Sequence, residues 1–542
     1  MKHSYKKHSF DKDAGDLLMK SNSGKINKYL KMKRTMTTVF LGCLLLLSAC
    51  QKTKEPYFDP IPETPQKPEE PKGEWSGFTL DSTFTNPIMP GGPDPWVIQK
   101  NGIYYYTYTQ GSKLVILETK KLSELASSQR YDVWTPPGGQ MYSKNLWAPE
   151  LHEIDGKWYF YFAADDGTNA NHRMYVVENS SPTPIEGNWE FKGKISDPTD
   201  MWAIDGTVLQ HEGQMYMIWS GGNAGAAPQN LYIAKMSNPW TISGEKVMIS
   251  QPDFAWEKNG SAINEGPQVL INPQGRVYIV YSGSGYWSDG YCLGELALRD
   301  GGDPMNPAHW KKKVHPVFAV RSESSAFGPG HNGFFKSPDG TEDWIIYHAR
   351  SVANQGASGG RNPRIQRFSW NPDGSPNFGL PTSLSAQHKR PSGEPFRYIH
   401  DKSKWSIAGV SSEEPTDSRL ASLLIDNNLT TMWIARYSID PTEYPDHWVT
   451  IDMGETAMVD GFIISQKEGD RKIKELEIQV SNDNANWESL GIFKLNDVNL
   501  LRQFIDLSEQ KQLRYFKLVP KLGHDSQKQP GLTEVSTFRL NN

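Results

Sequence analysis

Cysteine is scarce in this chain. Only Cys43, Cys50 and Cys292 stand among 542 residues, too few for a disulfide framework. Excess charge is missing as well. Lys and Arg number 57 against 62 Asp and Glu, a net −5 with no basic stripe to grip a nucleic acid. Long apolar runs are absent too: the strongest, Val39 to Leu47, is too short to cross a bilayer as a mature anchor. No long stretch has a convincing helical period. What is plentiful is aromatic. The 18 Trp, 23 Tyr and 21 Phe suit β-strands and sugar-stacking surfaces. The length exceeds what one domain usually takes.

Five times a turn carrying glycine is followed by an aromatic-rich strand: NGIYYYTYT, DGKWYFYFA, EGQMYMIWS, QGRVYIVYS and DGTEDWIIYHA. The glycines Gly102, Gly156, Gly213, Gly275 and Gly340 recur every 54 to 65 residues, near the period of a propeller blade with insertions. Upstream of each lies one polar residue in a short strand: Asp94, Glu150, Asp205, Glu265 and His331. If each glycine turn joins the innermost strand of a blade to its neighbour, these five approach one axis. A stable fold does not need four carboxylates and a histidine there, whereas glycoside hydrolysis needs paired carboxylates. Taken alone, Asp94 and Asp205 beside Gly and Pro also read as turn formers.

The segments NPIMPGGPDPWV, LWAPELHE, MWAIDGTVL, SAINEGPQVL and FGPGHNGFF resemble glycoside hydrolase family 43 over most of residues 80 to 385. The resemblance implies a five-bladed β-propeller of the inverting class. It also implies Asp94 as general base, Asp205 as the residue that tunes and orients the acid, and Glu265 as general acid. His331 would then help hold a central calcium through water; a hydrogen-bonded core histidine is the alternative. Trp96 and Trp147 are candidate walls of the sugar subsite, and Glu150 either touches substrate or accepts hydrogen bonds behind it. Arg361 and Arg364 contact sugar or tune a carboxylate, or else form salt bridges. Trp219 and Trp344 read as packing between blades, and Cys292 as a core thiol. The implied activities are α-L-arabinofuranosidase first, then β-D-xylosidase or β-galactosidase, on plant-type polysaccharide. A reading of another class is a non-catalytic surface glycan-binding lipoprotein.

Four segments follow. Residues 1–50 are a leader: Lys31, Lys33 and Arg34, the apolar run, then Leu-Ser-Ala-Cys. That end resembles a bacterial lipobox, with Cys50 lipidated and translation starting near Met32. This implies a membrane-anchored lipoprotein, at the outer membrane of a Gram-negative cell. Residues 51–74 are a Pro/Lys/Glu-rich tether. Residues 75–396 are the propeller, and residues 397–542 a β-sandwich, so the expected class is all-β. The sandwich phrases LIDNNLTTMW, WVTIDMG, SNDNANW, LRYFKLV and TEVSTF resemble the discoidin-like, coagulation-factor type C fold with its carbohydrate-binding members. The resemblance implies a structural calcium at Asp426, Thr431 and Glu534, or loop caps there instead. It places sugar contacts in the loops of Tyr437, Tyr444, His447 and Arg471.

Overall fold

The computed structural model describes residues 78–438 and 446–540. The leader, Cys50, the tether and Tyr444 lie outside these. Five antiparallel sheets follow one another along the chain. Their innermost strands are Trp96–Lys100, Lys144–Ile154, Trp202–His211, Asn264–Ile271 and Phe327–Lys336. Each pairs with the next strand in sequence across one of the five repeat glycines. Those glycines all have φ between 73° and 85°, and an added Cβ at any of them would meet open space. Their requirement is backbone conformation, not room.

The aromatic phrases are apolar on both strand faces because each blade is covered on both sides. In the first blade, Tyr104 and Tyr106 pack toward the fifth blade, while Tyr105 packs toward the second. In the fourth, Tyr278 and Val280 face the fifth blade, while Ile279 and Tyr281 face the third. One apolar cluster fills each of the five interfaces between neighbouring blades. Trp219 and Trp344 sit in such clusters, as read from the sequence. Cys292 is buried in the fourth blade, where burial pushes its thiol up to about 12.

The Pro/Gly entry to the first blade closes the ring. Ile88 N donates to Pro363 O and Gly92 N to Arg361 O, each at 3.0 Å. The Asn86 amide imitates a strand, donating to Ile365 O at 2.8 Å and accepting from Ile365 N at 3.0 Å. A Cβ on Gly92 would lie 2.8 Å from the Tyr106 hydroxyl, so this close approach requires glycine.

The second domain is one continuous sheet system, built on the long strands Val449–Gln466 and Arg502–Gly523. Its core holds Trp433, Phe462, Phe516 and Leu518. One boundary differs from the sequence reading. Phe78–Asp81, at the front of the expected propeller segment, pairs instead with Arg397–His400 of the sandwich. The sandwich therefore takes an edge strand from ahead of the propeller. Asp81 then sits buried between Arg390 and Arg502, at 2.9 and 2.8 Å, and Glu124 of the first blade pairs with Arg390 and Arg397.

Candidate active site

Every inner strand is bent at the same place. Asp94, Ala148, Asp205, Gly266 and His331 all have φ between 42° and 58°. The last four sit at breaks in strand register, and Asp94 lies just before its strand. A bulge inserts one residue and re-aims its neighbours. Here the bulges turn Asp205, Glu265 and His331, and the left-handed entry before the first strand turns Asp94, onto a single cavity of about 420 Å³. Trp147, Trp202, Tyr286 and Trp287 supply its aromatic walls.

Asp94 is the most tightly held. Arg361 Nη1 donates to its Oδ1 at 2.7 Å, and Thr109 Oγ1 to its Oδ2 at 2.7 Å. Thr109 is itself fixed by Ala148 N at 2.8 Å. His331 Nδ1 stands 3.4 Å from Asp94 Oδ1. Burial pushes Asp94 up, but the Arg361 guanidinium first, then His331 and the Thr109 bond, outweigh it and hold the carboxyl well below its usual range. Burial keeps His348 neutral, its pKa well below the ordinary histidine value. Its Nδ1 therefore accepts from Asp94 N at 3.2 Å.

Glu265 and Asp205 go the other way. Burial, with Asp94 adding repulsion, raises Glu265 to about 7 against the bond from Tyr291. Burial likewise raises Asp205 to about 7; His331 opposes this, and Glu265 and Asp94 reinforce it. Both carboxyls are therefore biased toward the protonated form, opposite to Asp94. The Tyr291 hydroxyl donates to Glu265 Oε1 at 2.8 Å, leaving Oε2 for a ligand. Gly266 N donates to Asp205 Oδ2 at 2.9 Å.

Other expected site residues lie elsewhere. Trp96 does not line the cavity: its indole donates to Leu151 O at 2.9 Å and packs on His152 between the first two blades. Glu150 is buried behind the site, bonded to His152 at 2.8 Å and Gln268 at 2.5 Å. It stands two residues past the bulge at Ala148, which occupies the place expected for it. Arg364 is fully buried and donates to Ser325 O and Ser351 Oγ. Arg361 does reach the cavity and lies over the Tyr286 ring at 4.5 Å. Trp147 lines the cavity with its ring stacked on His172 at 3.9 Å.

Sequence reading missed Thr109, Tyr291, His348, Tyr286 and Trp287. Thr109 and His348 lie at the ends of two of the repeat phrases, where nothing local separates them from strand residues, and the other three lie outside every repeat phrase and motif segment. Tyr286 and Trp287 ride a loop pinned by buried Arg350, which donates to Tyr286 O at 2.7 Å and Asp289 at 3.0 Å.

The metal expectations meet different surroundings. Among the described residues no group of three His, Cys, Asp or Glu is placed to hold a metal ion directly. Next to His331 in the chain, however, the buried Asn332 amide has no protein partner for either its oxygen or its nitrogen, and the buried Thr207 hydroxyl on the third blade's inner strand has none either. Such groups fit ordered water, through which an ion would be held. In the sandwich the donor set does not suit a dication. The ammonium of buried Lys402 already pairs with Glu534 Oε1, and Thr431 donates to Asp426 Oδ2 at 2.8 Å. Of the loop residues, His447 is fully buried, while Tyr437 carries Arg471 over its ring at 4.8 Å.

A propeller that gathers carboxylates of opposite protonation on one aromatic-walled cavity defines a glycoside hydrolase. Residues 84–376 match Glycosyl hydrolases family 43, and the chain belongs to that family. Residues 407–535 match the F5/8 type C domain. The chain is 38% identical over 328 residues to an extracellular exo-α-(1→5)-L-arabinofuranosidase of Streptomyces avermitilis, covering 58% of this chain and 68% of that protein. It is 30% identical to α-L-arabinofuranosidase 43 of Humicola insolens, over 69% of this chain and 80% of the relative. Among solved structures, an α-L-arabinofuranosidase from Lactobacillus brevis is 35% identical with a TM-score of 0.53, over 56% of this chain and 98% of that one.

Proposed function

We propose that this protein is an inverting, exo-acting α-L-arabinofuranosidase that trims terminal arabinofuranosyl residues from plant-type polysaccharide. The observation that carries the chemistry is the split in protonation: Asp94 held ionised, Glu265 raised to about 7, both on one cavity. Asp94 takes a proton from the water that attacks the anomeric carbon. Glu265 gives its proton through Oε2 to the departing glycosidic oxygen, so the attack and the departure occur on opposite faces of the ring. Asp205, anchored by Gly266 N and in electrostatic contact with Glu265, tunes and orients the acid. Trp147, Trp202, Tyr286 and Arg361 hold the sugar. The choice of arabinofuranose rests on the named activities of the relatives.

A panel of nitrophenyl α-L-arabinofuranoside, β-D-xyloside and β-D-galactoside tests the sugar, with Asp94→Asn as control. Release from the xyloside or galactoside in place of the arabinoside would move the enzyme within its family. Release from none, with retained binding to arabinan, would make it a glycan-binding lipoprotein. Proton NMR in early turnover should show the inverted anomer first, and a retained anomer would overturn the mechanism.

Two further parts belong to this reading. A calcium ion held through water beside His331 would supply only a fixed positive charge; the partnerless Thr207 and Asn332 oxygens support it. Export and lipidation at Cys50 would hold the enzyme at an outer membrane, supported by the Leu-Ser-Ala-Cys leader and by the extracellular naming of relatives. Cys50→Ala should leave activity intact and move it from the membrane to the soluble fraction. Equal membrane content for both forms would refute the anchor.

A further inference from the structure

A second cavity, of about 350 Å³, opens on the second blade and has no part in the chemistry described above. We infer that it is a distal subsite for the oligosaccharide chain whose terminal sugar occupies the active cavity. The inference rests on the glycosidase reading and extends it to chain length.

Three observations carry it. The first is position. Asn169 lines the active cavity and Asn171 lines the second; both belong to one short helical turn, Asn169–Asn171. His172, the next residue, stacks on Trp147 in the active cavity wall at 3.9 Å. One short turn of chain therefore borders both cavities.

The second is apolar chemistry. Tyr142 stacks on Phe191 at 4.1 Å with 19° between the rings, and Trp134 lies parallel behind Phe191, 8° between planes. Tyr142 and Phe191 line the cavity, and beside them Met141 is 52% exposed. A pyranose or furanose presents C–H groups on one face, which aromatic rings and a thioether cover well. Tyr142 and Phe191 pack inward on the apolar cluster between the first two blades, and their outer faces are left to the cavity.

The third is polar chemistry. Arg173 and Lys194 both bind Asp200, at 3.0 and 2.8 Å. Asp200 offsets one of the two cations and holds both in place, leaving hydrogen-bond donors at the cavity edge. Arg173 spends Nε on Asp200 and Nη1 on His172 O, and its Nη2 donates to no described residue. Fixed donors and acceptors at the edge of a ring stack are how a neutral sugar's hydroxyls are read.

The test is the dependence of kcat/KM on chain length. Wild type should gain from nitrophenyl arabinoside to arabinotriose and longer α-1,5-arabino-oligosaccharides. Tyr142→Ala should lose about tenfold on the long substrates, the worth of one ring contact, and keep the nitrophenyl rate. Met141→Asp, an exposed position, should do the same without touching the ring stack, and it decides the matter if Tyr142→Ala fails to fold. A ratio of long to short substrate unchanged from wild type in Met141→Asp would overturn the subsite. If arabinosides are not cleaved at all, the proposed sugar fails instead; the same ratio is then measured on oligomers of whichever glycoside the panel shows to be hydrolysed. A selective loss on acidic, uronate-bearing chains with none on neutral ones would also overturn it in the form stated.

Discussion

Asp94 and Glu265 are both buried carboxyls, yet their neighbours drive them apart. Arg361 and Thr109 stand on Asp94, while Glu265 receives only the Tyr291 hydroxyl. The sign for activity follows. Glu265 must be protonated, so kcat/KM should fall as pH rises through about 7; the acid limb belongs to Asp94 and lies below the usual carboxylate range. Asp94→Asn should lose on the order of 10²–10⁴ in rate with the fold intact. Glu265→Gln should cripple natural linkages, spare a leaving group that needs no proton, and abolish the alkaline limb. Equal loss on good and poor leaving groups would remove Glu265 as the acid. Tyr291→Phe takes away a bond that favours the ionised form, so the alkaline limb should move to higher pH; a pH–rate profile shifted downward would contradict the role drawn for it.

The bulge is the element that turns a strand into part of a site. Gly266 has φ of 53°, and an added Cβ would stand 3.1 Å from His331 Nδ1. Its N–H also holds Asp205. Gly266→Ala should cost about 1–2 kcal/mol from the left-handed backbone and disturb His331 and Asp205 together. Activity should therefore fall by more than a destabilised but folded protein explains. A melt lowered by several degrees with full activity would show that the bulge serves the fold alone. The repeat made these strands legible, since glycine turns and two-faced apolar phrases are local. The bulge itself was not legible: Ala148, not Glu150, takes the blade-two place, and no residue type announces it.

At the scale of the molecule, a sandwich strand precedes the propeller and a buried ion network ties the two. Asp81 answers both Arg390 and Arg502, and these hold it below the ordinary Asp range despite burial. Asp81→Ala leaves buried guanidinium charge behind and should cost about 3–5 kcal/mol. Scanning calorimetry should show the propeller and sandwich transitions separating or dropping together; an unchanged thermogram would mean the network carries no stability. Lys402 raises a second expectation. Its ammonium stands beside Glu534 in place of a metal, so chelator should leave the sandwich transition where it is. Lys402→Met should lower it and make it respond to calcium. A wild-type transition lowered by chelator would restore the metal to that loop.

The sequence by itself determined the blade count, the strand phrases, the second domain and the three carboxylates. Turn glycines, alternation and Pro/Gly punctuation act over a few residues, so they are readable without the fold. Only the tertiary structure decided what surrounds each carboxylate. Thr109, Tyr291, His348 and Arg361 come from separate strands and loops, and their distances set which carboxyl is ionised. It also turned Trp96, Glu150 and Arg364 away from the cavity and moved Phe78–Asp81 into the sandwich. Side-chain direction after a bulge and pairing between distant strands depend on how the blades close on one another, and electrostatic environment depends on both.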